Sequence, residues 1–195
     1  MGHDRGVHFA ESTVRPRVLA WTGEQFAARI DEAMSIYVAA MGYSPSAGHQ
    51  RALTARNHVH IEGFACRAAV LDDDTLVGFG YGYTTARGQW WHDLVRRALS
   101  RETAAEWLDG AFELSELHIL PGYQGHGIGR EVLTRLAATL PHPTMLLSTP
   151  DADTRAFRLY HALGFVDLRR RYLFPGDSRP FAVLGATLPL RSDGA

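Results

Sequence analysis

Between Glu113 and Leu133 the chain reads Glu-Leu-Ser-Glu-Leu-His-Ile-Leu-Pro-Gly-Tyr-Gln-Gly-His-Gly-Ile-Gly-Arg-Glu-Val-Leu. An apolar run ends at Pro121, glycines follow at the alternate positions 125, 127 and 129, and an amphipathic segment comes next. That order predicts a strand, a glycine-rich turn and a helix. Such a turn gathers free backbone N–H groups at a helix N-terminus, where the helix dipole adds partial positive charge. A phosphate group is held there without a dedicated lysine. Glycine lets it approach the backbone, because no Cβ stands in the way.

The spacing narrows the kind of phosphate ligand. A Walker loop continues with Gly-Lys-Ser/Thr, whereas Arg130-Glu131 follow here. A dinucleotide fingerprint separates its last two glycines by two residues, which Gly125-x-Gly127-x-Gly129 does not. Gln124-Gly125-His126-Gly127-Ile128-Gly129 instead resembles the Gln-x-x-Gly-x-Gly pyrophosphate loop of the GCN5-related N-acetyltransferase (GNAT) family, which binds acetyl-CoA. A second segment, Asp153-Thr-Arg-Ala-Phe-Arg-Leu159-Tyr160-His-Ala-Leu-Gly164-Phe165, is similar to that family's Asn-x-x-Ala-x-x-Leu-Tyr-x-x-x-Gly-Phe. Ala156, Leu159, Tyr160 and Leu163 share one helical face there, and Gly164 stands where a left-handed C-cap belongs. The two segments occur in family order and spacing, and the resemblance is strongest from about 113 to 166.

Periodicity and turn residues give the order β-α-α-β-β-(helix)-β-α-β-α-β-β. Strands are predicted at 17–21, 64–71, 76–83, 112–120, 144–148, 169–174 and 181–188. A capped helix is predicted from Thr22 to Gly42, with others at 50–58, 90–108, 129–140 and 154–163. Residues 1–16 are expected to form a flexible N-terminal arm, and 17–190 a single domain. The fold class is α/β (mixed α+β): one mixed, mostly antiparallel sheet with helices on both faces. The resemblance adds that the central parallel strands splay apart and that CoA lies in the gap.

Acetyl transfer to an amine needs a base, a donor for the thioester carbonyl and an acid for the leaving thiolate. By resemblance Tyr160 is the acid. Strict alternation places Glu113, Ser115, Leu117 and Ile119 on one face of their strand, and Leu114, Glu116 and His118 on the other. In several branches of the family the base occupies the position of Glu113. Glu116 is the alternative, because a β-bulge would flip the alternation. The backbone of Leu117, His118 and Ile119 is expected to pair with the pantetheine arm, with Leu117 N–H on the carbonyl. Gln124, Gly125, His126, Gly127, Ile128, Gly129 and Arg130 are expected around the pyrophosphate. Asp153 stands where the family usually has asparagine, so an amide donor to CoA is missing. Tyr37, Trp90 and Trp91 are expected to line the acceptor pocket, with one of the two tryptophans packed inward because neighbours on a helix diverge by about 100°.

With 20 Lys and Arg against 21 Asp and Glu, the net charge of −1 gives no electrostatic case for nucleic acid or an anionic membrane. No apolar run reaches membrane-spanning length and no signal-like segment opens the chain, so a cytoplasmic location is expected. Single Cys66 forms no internal disulfide and reads as a buried thiol. Asp72-Asp73-Asp74 reads as a solvated hairpin turn, and His58 and His60 lack companions at ligand spacing, so no metal is expected. The resemblance implies an acetyl-CoA-dependent enzyme acting on a small-molecule or peptide amine, by direct attack because no plausible nucleophile stands near the motifs, with a homodimer possible. The rival is a non-catalytic acyl-CoA-binding module on the same fold.

Overall fold

The computed structural model describes residues 15–191, so nearly all of the expected N-terminal arm lies outside the described residues. Seven strands form one sheet: β1 (Arg17–Trp21), β2 (Ala65–Val70), β3 (Leu76–Thr84), β4 (Phe112–Ile119), β5 (Thr144–Pro150), β6 (Val166–Leu173) and β7 (Pro180–Thr187). Their spatial order is β1-β2-β3-β4-β5-β7-β6, and only β4 and β5 run parallel. The helices are α1 (Gly23–Ala28), α2 (Ile30–Met41), α3 (Pro45–His58), α4 (Trp90–Ala98), α5 (Arg101–Leu108), α6 (Ile128–Ala137) and α7 (Arg155–Ala162).

Local chemistry accounts for most helix boundaries. Thr22 and Gln25 close a reciprocal capping box at the start of α1. The helix predicted as continuous to Gly42 breaks at Arg29, whose guanidinium bonds both Glu32 and Asp74. Helix α3 starts five residues before its predicted start, with Pro45 in its first turn, where the missing N–H costs nothing. Gly48 is therefore helical rather than part of a loop; a Cβ there would meet Val38 Cγ2 at 2.8 Å, so it lets α2 and α3 approach closely. The helix predicted over 90–108 divides at Ser100, which leaves the helix and accepts a hydrogen bond from Thr103 N at 3.1 Å.

The faces follow from the strand registers. Phe79, Tyr81 and Tyr83 of β3 pack with Phe26, Ile30, Met34, Ala52 and Ala55 from α1, α2 and α3. The opposite face of β3 carries Gly78, Gly80 and Gly82, and a Cβ at Gly80 would meet Val132 of α6 at 3.0 Å. Bare glycine thus brings α6 close to the sheet. Leu133 and Leu136 of α6 join Tyr160 of α7 and its C-cap Leu163 over Phe112, Leu114, Met145 and Leu147. Leu94, Val95 and Leu108 of α4 and α5 cover Leu146 and Val183 on the face shared with α3.

Two irregularities open the sheet where function was expected. Parallel pairing of β4 with β5 is confined to Phe112↔Met145 and Glu113↔Leu146, and beyond it the strands diverge. Tyr81 opposes Glu116 while Gly82 opposes Leu114, so Ser115 is the extra residue of a β-bulge. Strict alternation along β4 is therefore incorrect. Glu113, Glu116 and His118 share the face of Tyr83, Tyr81 and Phe79, while Leu114, Leu117 and Ile119 share the face of the three glycines.

Candidate active site

The gap between β4 and β5 opens into a cleft of about 1530 Å³. Its cofactor-side wall is Leu117, Ile119, Gln124, Gly125, Gly127, Ile128, Gly129, Arg130 and α7; its other end is Tyr37, Tyr43, Trp90, Trp91 and Phe174. Glu113 and Tyr160 both line the same cleft. One continuous space of this size has room for a phosphate-bearing ligand and a second reactant side by side.

The backbone of β4 is directional. Leu120 N–H donates to Val77 O at 2.9 Å, which fixes the hydrogen-bonding phase with β3. His118 and Glu116 consequently spend their backbone groups on β3, and those of Leu117 and Ile119 turn to the gap. This corrects the expectation for His118: its backbone is inside the sheet, and its ring bonds Glu116 and packs edge-on to Tyr37 at 5.1 Å. Gln124 Nε2 donates to Ile119 O at 2.9 Å and so ties the loop to the strand.

Gly125 and Gly127 both hold left-handed backbone, φ 87° and 80°. Gly127 caps the N-terminus of α6, and a Cβ there would meet no protein atom within 4 Å. The open arc over a helix N-terminus fits a pyrophosphate, so the residues present suit CoA. His126 does not line the cleft; its exposed ring approaches Tyr123 O at 3.4 Å. Asp153 is likewise turned away, in an exposed ion pair with Arg158 at 2.6 Å. Arg155, two residues on, was missed: its guanidinium lies beside Gly125, 3.3 Å from where a Cβ would be. A Gly127→Val variant will keep its fold and lose measurable CoA binding by calorimetry, since valine is strained at this φ and branches into the open arc. Wild-type affinity in a folded variant would refute the loop as the pyrophosphate site.

The two glutamates of β4 have opposite environments. Burial pushes Glu116 upward, but Arg51 and then His118 outweigh it and hold its carboxyl down at about 2. Such a carboxylate is a poor proton acceptor at neutral pH. Glu113 is equally buried, but its hydrogen-bond partners are hydroxyls: Tyr83 at 3.1 Å and Thr85 at 3.5 Å. Burial pushes it up to about 7, only partly opposed by Tyr83, Arg51 and Thr85. Tyr160 is buried under Phe165, and burial with the nearby Glu116 charge raises its phenol. It stays protonated across the neutral range, the state an acid needs, although a higher value makes the hand-off costlier.

At the other end, Trp91 is inward and donates Nε1–H to Ser148 Oγ at 3.0 Å, while Trp90 is 62% exposed and rests on Phe174 at 5.8 Å. The two charged pairs of this wall are self-compensating: Arg51 with Glu116, and Arg179 with Asp177. Arg179 also donates to Tyr43 OH at 2.6 Å, linking the β6–β7 turn to the loop after α2.

A family model described as "Acetyltransferase (GNAT) family" matches residues 30–165. The chain belongs to the GNAT acetyltransferases. It is 38% identical over 191 residues to a GCN5-like protein acetyltransferase of Mycobacterium tuberculosis, covering 83% of this chain and 93% of that one. Solved structures agree on the fold. The ribosomal-protein-S18-alanine N-acetyltransferase of Escherichia coli is 14% identical with a TM-score of 0.60, over 92% of this chain and 99% of that one. A Salmonella typhimurium structure that holds its cofactor acetyl-CoA is 14% identical with a TM-score of 0.61, over 92% and 98%. GNAT acetyltransferases use acetyl-CoA, and the protein is an enzyme of this class, an N-acetyltransferase. No group of three metal-ligating side chains occurs among the described residues, and no helix there is long and apolar enough to cross a membrane.

Proposed function

We propose that the protein acetylates a primary amine of a peptide or protein, taking the acetyl group from acetyl-CoA in a ternary complex with Glu113 as base. The observation that carries this reading is a buried carboxylate held up at about 7, facing the same cleft as the glycine loop and the free strand edge. Bound acetyl-CoA supplies an activated acetyl thioester. Gly125, Gly127, Ile128, Gly129, Arg130 and Arg155 hold the phosphates, and Leu117 N–H polarises the carbonyl. Glu113 removes the proton that the attacking amine must lose, directly or through water, and Tyr160 O–H protonates the departing sulfur. A non-catalytic acyl-CoA-binding module has no use for a carboxylate kept at that value against the cost of its burial.

Two observations favour a peptide or protein amine over a polycation. The Mycobacterium tuberculosis relative is a protein acetyltransferase by name. The acceptor wall is aromatic, and its carboxylates Glu116 and Asp177 are already matched by arginines, leaving little negative charge to hold a polyamine or aminoglycoside. A cytoplasmic setting, a single domain over 17–190 and a possible homodimer go with this reading.

Thiol release from acetyl-CoA, followed with an amine panel, tests it. A peptide α-amine or lysine peptide will turn over with higher kcat/KM than spermidine or an aminoglycoside; the reverse order would overturn the acceptor assignment. Tyr160→Phe will lower kcat by about ten- to a thousand-fold with acetyl-CoA affinity unchanged. An unaltered kcat would reduce Tyr160 to packing.

A further inference from the structure

Behind Glu113 lies a chain of polar side chains that the acetyl-transfer scheme above does not use. Tyr83 OH donates to Glu113 Oε1 at 3.1 Å. His58, at the end of α3, sits edge-on to the Tyr83 ring at 4.8 Å, with Nε2 3.5 Å from the Tyr83 hydroxyl. His58 Nδ1 is 3.1 Å from Tyr81 OH and 3.5 Å from Ser115 Oγ. Ser115 Oγ also hydrogen-bonds the hydroxyls of Tyr81 and Tyr83, and one assignment gives every hydrogen along the run an acceptor. Since the Tyr83 proton points at a carboxylate, its oxygen accepts from His58 Nε2–H, and Nδ1 accepts from Tyr81 O–H. The Ser115 bulge is what admits the imidazole against β4, because it turns Glu113, Ser115 and Glu116 toward α3 together.

We propose that Tyr83, oriented by His58, is a positioning residue that sets the pH at which Glu113 works by donating its phenolic proton to the carboxylate. This rests on Glu113 being the base. A carboxylate alone at this depth would be protonated at neutral pH and useless as an acceptor; a phenol aimed at it stabilises the ionised form. Thr85 just after β3, Arg51 from α3 and Glu116 from β4 also act on Glu113, the first two favouring ionisation and Glu116 opposing it. Around His58 the charged groups are Arg51 and Glu116. Burial, then Arg51, hold the imidazole down at about 4, so it stays neutral while Glu113 titrates and keeps the tautomer that orients Tyr83. His58 is therefore an orienting group and not itself a pH switch, and the acidic limb belongs to Glu113.

The test is the pH profile of kcat/KM for a peptide amine, with a difference-infrared titration of the Glu113 carboxyl as a readout free of turnover. Tyr83→Phe keeps the ring and removes the donor; both readouts will move to higher pH by about one to two units. His58→Phe will shift them the same way by a smaller amount. His58→Gln, whose amide nitrogen can take the place of Nε2, will restore the wild-type position. Glu113→Gln separates the two ideas. If it abolishes the acidic limb while Tyr83→Phe leaves the limb and the infrared titration in place, the tuning role is wrong and the base stands. If the limb persists in Glu113→Gln, the base assignment itself fails. Equal shifts in His58→Gln and His58→Phe would show that His58 acts through packing alone.

Discussion

Glu116→Gln will destabilise the fold by about 3 kcal/mol, the lower end for breaking a buried ion pair, and will lower the melting temperature by roughly 6–12 °C for a domain of this length. The cost does not come from losing an attraction so much as from leaving Arg51 without its counter-charge. The Arg51 side chain is 32% exposed and relaxes partly into water, which keeps the loss at the lower end. Glu116 titrates at about 2 in the folded state against an ordinary 4.5, so between those values the unfolded chain binds more protons. Its stabilising contribution is present above about pH 4.5 and is lost as pH falls toward 2. The glutamine variant will lack that acid dependence. Replacing both partners, Arg51→Met with Glu116→Met, will recover most of the stability, because two matched apolar side chains leave no orphaned charge. Thermal unfolding across pH 3–8 measures all three; an unchanged melting temperature in Glu116→Gln would show that the ion pair contributes nothing.

Glu113→Gln will do the opposite to stability and far more to rate. Here the folded-state value lies above the ordinary 4.5, at about 7, so between them the native state binds more protons than the unfolded chain. Glu113 thus costs nothing below about pH 4.5 and progressively destabilises the fold as pH rises to 7, by about 3 kcal/mol at the plateau. Glutamine removes that penalty, and the variant will unfold at higher temperature than the wild type at pH 8 and at nearly the same temperature at pH 4. Acetyl transfer at pH 7 will fall by about 10²- to 10⁴-fold, the scale of a lost general base. A residue whose removal stabilises the fold and silences the enzyme is held in place by function. Equal melting temperatures at pH 8, or a rate within threefold of wild type, would contradict this assignment.

The parts of the fold readable from sequence are those decided by neighbours along the chain. The strand–glycine–helix unit after Phe112, the Asp72–Asp74 turn, the Thr22 capping box and the inward–outward split of Trp91 and Trp90 all follow from turn chemistry or periodicity. Most of the parts that escaped were decided across the chain. From sequence a β-bulge is only the alternative, because its place at Ser115 is a register between β3 and β4; alternation along β4 alone puts Glu116 and His118 on the wrong face. Tyr83, His58 and Arg51 could not be joined to Glu113 without that register, although Arg51 and His58 stand seven apart on one helical face. Asp153 matched a motif position but found Arg158 nearby, and Arg155 took the place by the loop. Local helix breaks at Arg29 and Ser100 went unread because apolar periodicity runs through both, although Ser100 is a serviceable N-cap.

The most direct test is the pH–rate profile of kcat/KM for one peptide amine, measured by thiol release from saturating acetyl-CoA in the wild type and in Glu113→Gln. The wild type will lose activity tenfold per pH unit below an inflection near 7, and the variant will show a low rate without that inflection. An inflection of the same position and depth in both would mean that the limb reports the substrate's own ammonium, and that Glu113 is not the base.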